Sequence, residues 1–101
     1  MTDDEFARLA LGMPGAAAGG HMGHRDFRVG KKIFATLGYP RAGFAMVKLA
    51  PEQQAMLVAA EPDIFAPAAG AWGRRGALVI DLARVDAATA EGAIRMARER
   101  L

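Results

Sequence analysis

The stretch that decides the fold is GGHMGHRDFRVGKKIFATL, residues 19–37, in which a glycine turn separates two runs of alternating side chains. Before the turn, Phe27 and Val29 alternate with charged residues, and this period of two is typical of a half-buried β-strand. After the turn, the best apolar set falls on every second position from Ile33 to Leu37. The stretch therefore predicts a β-hairpin.

The length of the turn decides which side chains share a face of this hairpin. A two-residue turn would pair Val29 with Lys32 and leave both faces mixed. A three-residue turn, Gly30 to Lys32, pairs Val29 with Ile33 and gives one mainly apolar face. We therefore predict the three-residue turn, with odd-numbered residues facing the core. The opposite, polar face then carries His24, Asp26, Arg28, Phe34 and Thr36, with Lys32 at its turn end.

Capping residues predict three helices around this hairpin. Thr2 and Glu5 have the spacing of a capping box, which begins the first helix. Pro51 suits the first position of a second helix, and Asp86 is a suitable cap for the last one. The glycine-rich residues 15–23 predict a connecting loop.

Further strands are predicted at residues 44–49, in the short segment DIFAP and in the apolar run ALVIDL. The resulting order is α-β-β-β-α-β-β-α. We therefore predict one domain, residues 1–101, of the α+β class, with an antiparallel sheet and helices packed on one face as a two-layer sandwich.

Composition limits the classes of function. The chain has no cysteine, which excludes disulfides, thiolate metal sites and cysteine nucleophiles. Its net charge of +2 is mildly basic and by itself does not imply nucleic acid. We see no signal peptide and no apolar run long enough to span a membrane. We expect a cytoplasmic protein without a cofactor, as a monomer or a weak dimer.

Alanine supplies much of the apolar fraction, so we expect the core to depend on a few large side chains. These are Phe6, Phe27, Ile33, Leu37, Met46, Leu57, Phe65, Trp72, Leu78, Ile80 and Ile94.

His21 and His24 raise the question of a metal site. Two imidazoles are too few, because catalytic zinc normally has three protein ligands and structural zinc has four. Asp26 could add a third ligand, but nothing nearby in the sequence completes the site. We predict no metal site and expect one histidine to order the loop that precedes the strand.

His24, Asp26 and Thr36 also permit an enzyme in which His24 is a general base oriented by Asp26. Geometry weakens this interpretation, since positions i and i+2 of a strand lie about 6.5–7 Å apart at the backbone. No nucleophile elbow, phosphate-binding glycine loop or paired carboxylates accompany them. We predict no catalytic residue.

Basic side chains are the stronger candidates for a function. They form two groups at predicted turns: Arg28, Lys31 and Lys32 at the hairpin tip, and Arg74 and Arg75 before the strand ALVIDL. Guanidinium and ammonium groups at exposed turns suit phosphate oxygens. Phe34, predicted on the polar face, would then be free to stack on a base. Packing under residues 61–73 or against a partner is the alternative for Phe34.

Two stretches resemble the MmcQ/YjbR-like family of small bacterial proteins: HMGHRDFRVGKKIFATL and VKLAPEQQAMLVAAEPDIFAPAAGAWGRRG. The most specific pieces are H-x-G-H followed by F-R-V and K-I-F-A-T, and the G-x-W-G-R-R-G turn. The resemblance covers nearly the whole chain. It implies the CyaY-like fold and a likeness to double-wing DNA-binding domains, hence nucleic-acid binding with no established activity. Arg25 and Ala77 depart from the proline and tryptophan common at those positions.

Three functions follow, in order of preference. The first is binding of DNA or another polyanion through the two basic turns. The second is a protein-interaction or small-ligand module that uses the outer sheet face and a cleft around Trp72, with His21, His24 and Asp26 as ligand-contacting or loop-ordering residues. The third is an enzyme with His24 as its base.

Overall fold

Four helices and six strands make up the computed structural model, which describes residues 1–101. They are α1 (Asp3–Leu11), β1 (Ala17–His21), β2 (His24–Val29), β3 (Lys32–Leu37), β4 (Phe44–Lys48), α2 (Pro51–Ala60), β5 (Phe65–Pro67), α3 (Gly70–Arg74), β6 (Ala77–Asp81) and α4 (Ala87–Glu99). The strands form one antiparallel sheet in the order β1-β2-β3-β4-β6-β5. The predicted α+β class and order of elements are confirmed, with β1 and α3 as additional elements.

Helices α1, α2 and α4 cover one face of the sheet, here called the inner face, and enclose the main core. Val47 of β4 and Ile80 of β6 point into this core from the sheet, and Ile94 enters it from α4. The ring centroids of Phe6 and Phe27 lie 6.2 Å apart and join α1 to β2. Full burial of each such side chain contributes about 1.5–3 kcal/mol, so this layer is the main source of stability.

The predicted helix starts are also confirmed. Thr2 accepts from the backbone N–H of Glu5, and the Glu5 carboxylate accepts from that of Thr2 at 2.8 Å. Asp86 accepts from the Thr89 N–H at 2.7 Å and caps α4. The pKa values of Glu5 and Asp86 are lower than their ordinary values, because these hydrogen bonds stabilise the ionised carboxylates.

The hairpin differs from its predicted register. Val29 pairs with Lys32, so the turn has two residues, and the predicted three-residue turn is wrong. Phe27 nevertheless pairs with Ala35 as expected, because a β-bulge between these two pairs leaves one extra residue on β3. Gly30, with φ of 61°, provides the left-handed conformation that such a tight turn requires.

The bulge moves two side chains to faces opposite to those predicted. Phe34 is fully buried in the main core, whereas we expected it on the polar face. Ile33 lies half-buried on the other side of the sheet, here called the outer face. The proposed stacking of Phe34 on a base is therefore wrong, because its ring is inaccessible. The bulge puts a large apolar ring into the core where strict alternation would have left it in solvent.

Eight of the large residues predicted for the core are buried: Phe6, Phe27, Leu37, Met46, Phe65, Leu78, Ile80 and Ile94. Leu57 is half-buried against that core. Trp72 is 46% exposed, so its predicted place in the core is wrong. The connecting loop predicted at residues 15–23 is also wrong for most of its length, because Ala17–His21 forms strand β1 and pairs with β2. None of the helices is long and apolar enough to cross a membrane.

Candidate functional site

A cleft of about 380 Å³ lies on the outer face, over β3 and β4. The turn between β1 and β2 bounds one side of it, and α3 bounds the other. Its lining consists of His21, Met22, His24, Ile33, Thr36, Tyr39, Met46, Lys48 and Trp72. Side chains of β4 alternate between the two faces of the sheet, which explains why Met46 and Lys48 line the cleft while their neighbours point into the main core. No acidic side chain lines the cleft.

Asp26 is fully buried, although the sequence predicted a solvated position on the polar face. Arg28 donates from Nε to Oδ1 at 2.8 Å and from Nη2 to Oδ2 at 2.6 Å. The Nδ1 atom of His21 lies 2.6 Å from Oδ2. The Arg28 hydrogen bonds lower the pKa of Asp26, with a smaller effect from His21, and outweigh the opposing effect of burial. The carboxylate is therefore ionised and accepts all three bonds.

Gly19 on β1 leaves the space that this cluster occupies. It pairs with Asp26 across the ladder, and a Cβ atom on it would lie 2.6 Å from Arg28 Nε. The same atom would lie 2.8 Å from Asp26 Oδ1. A side chain at this position would therefore push Arg28 off the carboxylate, since Cβ contacts below 3.0 Å essentially never occur.

The two histidines have the same tautomer for different reasons. His21 Nδ1 faces an ionised carboxylate, and His24 Nδ1 lies 3.2 Å from the carbonyl oxygen of Leu37. Both partners only accept, so both Nδ1 atoms carry a hydrogen and donate it. Each Nε2 is left without a partner within the chain, and in the neutral ring it keeps its lone pair. Asp26 thus orients His21 and does not contact His24, as the disfavoured enzyme interpretation would have required.

Lys48 and Trp72 face each other across the cleft. The ammonium of Lys48 lies 4.7 Å from the ring centroid of Trp72, a cation–π contact. Burial is the main cause that lowers the pKa of Lys48, and repulsion from Arg100 lowers it further. Attraction from Asp26 raises this pKa but only partly offsets the other two effects. This contact orients the Trp72 ring although the ring is not enclosed by the core.

Basic residues gather at one end of the sheet, here called the basic end. Strand β3 begins there at Lys32, β4 ends there, and Lys48 pairs with Ala77, the first residue of β6. Helix α3 directly precedes β6, so its arginines lie at the same end. The last turn of α4 also reaches it, because a Cβ atom on Gly15 would lie 3.5 Å from Val29 and 3.9 Å from Arg98. The basic end consists of Lys31, Lys32, Arg74, Arg75, Arg98 and Arg100.

Acidic residues gather at the opposite end. The N-terminal ammonium donates to the carbonyl of Leu82 at 2.7 Å, which brings the acidic first turn of α1 beside the end of β6. The acidic residues at this end are Asp3, Asp4, Glu5, Glu61, Asp63, Asp81 and Asp86, and the basic residues there are Arg25, Arg41 and Arg84. At the basic end the acidic residues are Glu52 and Glu99. A net charge of +2 thus conceals a strong separation of charge along the strands.

Four of the predicted phosphate-binding residues lie exposed at the basic end: Lys31, Lys32, Arg74 and Arg75. Arg28, which was predicted with them, is half-buried, and its guanidinium is paired with the Asp26 carboxylate. Lys48 and Gly19 were not predicted from the sequence. The period-two alternation of β4 could have placed Lys48 beside Met46 on the outer face, whereas Gly19 has no signal until β1 is known to pair with β2.

Comparisons with known proteins agree with this architecture. The fold is similar to the crystal structure of Deinococcus radiodurans protein DR2400, described as a DUF419 domain, with a TM-score of 0.78. The two chains are 18% identical, and the similarity covers 96% of this chain and 75% of that one. None of the curated proteins matches. A family model described as YjbR matches residues 11–100, which include the hairpin, the cleft and the basic end. The chain therefore belongs to the YjbR family.

Proposed function

We propose that this protein binds nucleic acid through its basic end. The observation that carries the proposal is the strand register, which brings the hairpin turn, α3 and the end of α4 to the same end of the sheet. Acidic residues dominate the opposite end, so a polyanion is attracted to one side of the molecule only. The small net charge does not argue against this, because the charges are segregated.

The exposed cations at this end are available for phosphate. Lys31, Lys32, Arg74 and Arg75 form no ion pair within the chain. A guanidinium group binds a phosphate through two parallel hydrogen bonds, and an ammonium group binds it as a compact charge. Arg28 plays no part in this surface. Its role is to neutralise Asp26, which would otherwise repel an anion near the cleft.

The double variant Arg74→Ala/Arg75→Ala tests the proposal. We expect weaker binding of fluorescein-labelled DNA at low salt, measured by fluorescence polarisation. The log-log dependence of affinity on salt should also become shallower, by about 0.9 for each duplex phosphate that the variant no longer neutralises and about 0.7 for each single-strand phosphate.

The matched control is Arg41→Ala/Arg84→Ala, which removes the same charge from the opposite end. We expect this variant to bind almost as tightly as the wild type. Equal losses of affinity in both double variants would mean that net charge alone matters and would contradict a localised site. Absence of any polarisation change with wild-type protein at low salt would contradict nucleic-acid binding altogether.

Small-ligand binding is a second candidate, and the cleft of about 380 Å³ favours it. Cavities of about 300–1,000 Å³ with a few polar groups among apolar ones are typical of such sites. Trp72 is the only tryptophan in the chain, so its fluorescence reports directly on occupancy of the cleft.

A further inference from the structure

The cleft and the basic end adjoin each other at several points. Lys32 of the basic end precedes Ile33, which lines the cleft. On the other side, Trp72 and Arg74 lie two residues apart on α3. Lys48 lines the cleft and lies next to the basic end, since it is the last residue of β4 and contacts the Trp72 ring. A ligand held by its phosphates at the basic end can therefore extend directly into the cleft.

We propose that the bound nucleic acid is a single strand and that one unpaired base of it enters the cleft against Trp72. This inference rests on the proposed function and adds the class of nucleic acid to it. The base supplies the planar apolar surface, and its phosphates supply the negative charge that the basic end attracts.

The lining of the cleft suits a base. Trp72, Ile33 and Met46 provide apolar contacts, and stacking on an aromatic side chain is the usual way in which unpaired bases are held. His21 and His24 offer their Nε2 atoms, which in the neutral rings accept hydrogen bonds. Lys48 offers a donor to a base carbonyl or to the adjoining phosphate.

The same geometry disfavours a duplex. A base within a duplex is stacked on both sides and paired along its edge, so it reaches a cleft in a sheet only after it has been extruded. A single strand meets no such cost. No acidic side chain lines the cleft, and Arg28 neutralises the nearby Asp26 carboxylate through two hydrogen bonds. Electrostatic repulsion therefore does not keep the negatively charged nucleotide out of the cleft.

The test compares a short oligothymidylate with the duplex that it forms with its complement. We expect the single strand to quench Trp72 fluorescence and to bind several-fold more tightly than the duplex. Trp72→Ala should weaken single-strand binding about tenfold, measured by polarisation of a labelled strand, and leave duplex binding unchanged. Trp72→Phe keeps an aromatic ring and should restore most of the affinity.

Met56→Ala is the matched control, because Met56 is also a large exposed apolar residue but lies on α2, away from the cleft. It should bind both forms like the wild type. Equal affinity for both forms, with an unresponsive Trp72 and a neutral Trp72→Ala, would overturn the inference while leaving binding at the basic end intact. Quenching by thymidine monophosphate but not by the oligonucleotide would also overturn it, in favour of a small-ligand site. Binding of neither strand nor duplex would instead mean that the proposed function itself is wrong.

Discussion

Asp26 is ionised although it is fully buried, and the two hydrogen bonds from Arg28 stabilise its negative charge. Removing an ionised carboxylate from water costs several kcal/mol unless its partners replace the missing hydrogen bonds to water. The two nitrogens of Arg28 and the ring of His21 supply three such bonds. Removing only the negative partner should therefore be more damaging than the small change in size suggests.

Asp26→Asn leaves Arg28 half-enclosed beside a neutral amide. We expect the free energy of unfolding to fall by about 3 kcal/mol, the low end for a broken buried pair because the Arg28 side chain is 30% exposed. Urea unfolding measures this. The control is Asp81→Asn, which breaks a surface pair at 3.5 Å with Arg84 and should cost less than about 1 kcal/mol. Similar losses of stability in the two variants would contradict the role given to Asp26.

The stability that Asp26 contributes should also depend on pH in a defined direction. Its pKa is lower in the folded protein than the ordinary value of 3.8, chiefly because of Arg28. The contribution is therefore complete above that ordinary value and is lost as the pH falls through the folded pKa. The difference in unfolding free energy between wild type and Asp26→Asn should accordingly be constant near neutral pH and shrink in acid. A difference that stays constant in acid would contradict this assignment.

At Gly19, the predicted loss of stability comes from adding an atom and not from removing a charge. Gly19→Ala should displace Arg28 from the carboxylate and lower the free energy of unfolding by about 1–3 kcal/mol, as overpacking commonly does. Gly20→Ala is the neighbouring control, since its Cβ atom would only approach the carbonyl oxygen of His24 to 3.4 Å. Thermal melting of the two variants separates these cases. A Gly19→Ala protein as stable as Gly20→Ala would show that the cluster has room to rearrange.

At the scale of elements, α3 is the part of the fold that positions the candidate site. It has five residues, too few for a helix to be stable alone, so its contacts hold it in place. Gln54 of α2 donates to the carbonyl oxygens of Gly73 and Ala77, at 2.8 and 2.7 Å. Gly73 itself packs directly on the backbone at Ala68, which leaves no space for a side chain.

Gly73→Ala should therefore displace α3, because the new methyl group would collide with the carbonyl of Ala68. We expect lower thermal stability and a changed Trp72 emission spectrum, since Trp72 would move from its place beside Lys48. Gly92→Ala is the control in α4, where nothing lies within 4 Å of the new atom. That variant should be more stable by up to about 1 kcal/mol, because alanine favours a helix interior. An unchanged Trp72 spectrum in Gly73→Ala would contradict this account.

Elements with a strong local signal could be predicted from the sequence. The helices at Thr2, Pro51 and Asp86 follow from caps and proline, and the alternation about Phe27 predicts the hairpin. The bulge at Phe34 could not be predicted, because it is decided by the space available in the core. Strand β1 has the sequence AAGGH, in which small residues show no apolar period. Its order comes from pairing with β2, which no local pattern reveals.

At the scale of the whole molecule, the candidate site depends on registers that join distant parts of the chain. The basic turns could be identified from the sequence, but their common location follows only from the pairing of β3, β4 and β6. A cleft around Trp72 was one of the sequence hypotheses, but the same residue was also predicted for the core, because a tryptophan among small apolar residues is more commonly buried. Composition reveals neither feature, since a small net charge is compatible with mixed or separated charges.

The separation of charge along the strands has a consequence for kinetics. Opposite charges at the two ends give the molecule a permanent dipole moment, so an approaching polyanion turns it before any contact forms. Association then begins from a favourable orientation instead of sampling all of them, and the association rate constant rises. Salt would screen this torque as well as the final contacts. Orientation before contact would let a small binding surface find such a polyanion quickly.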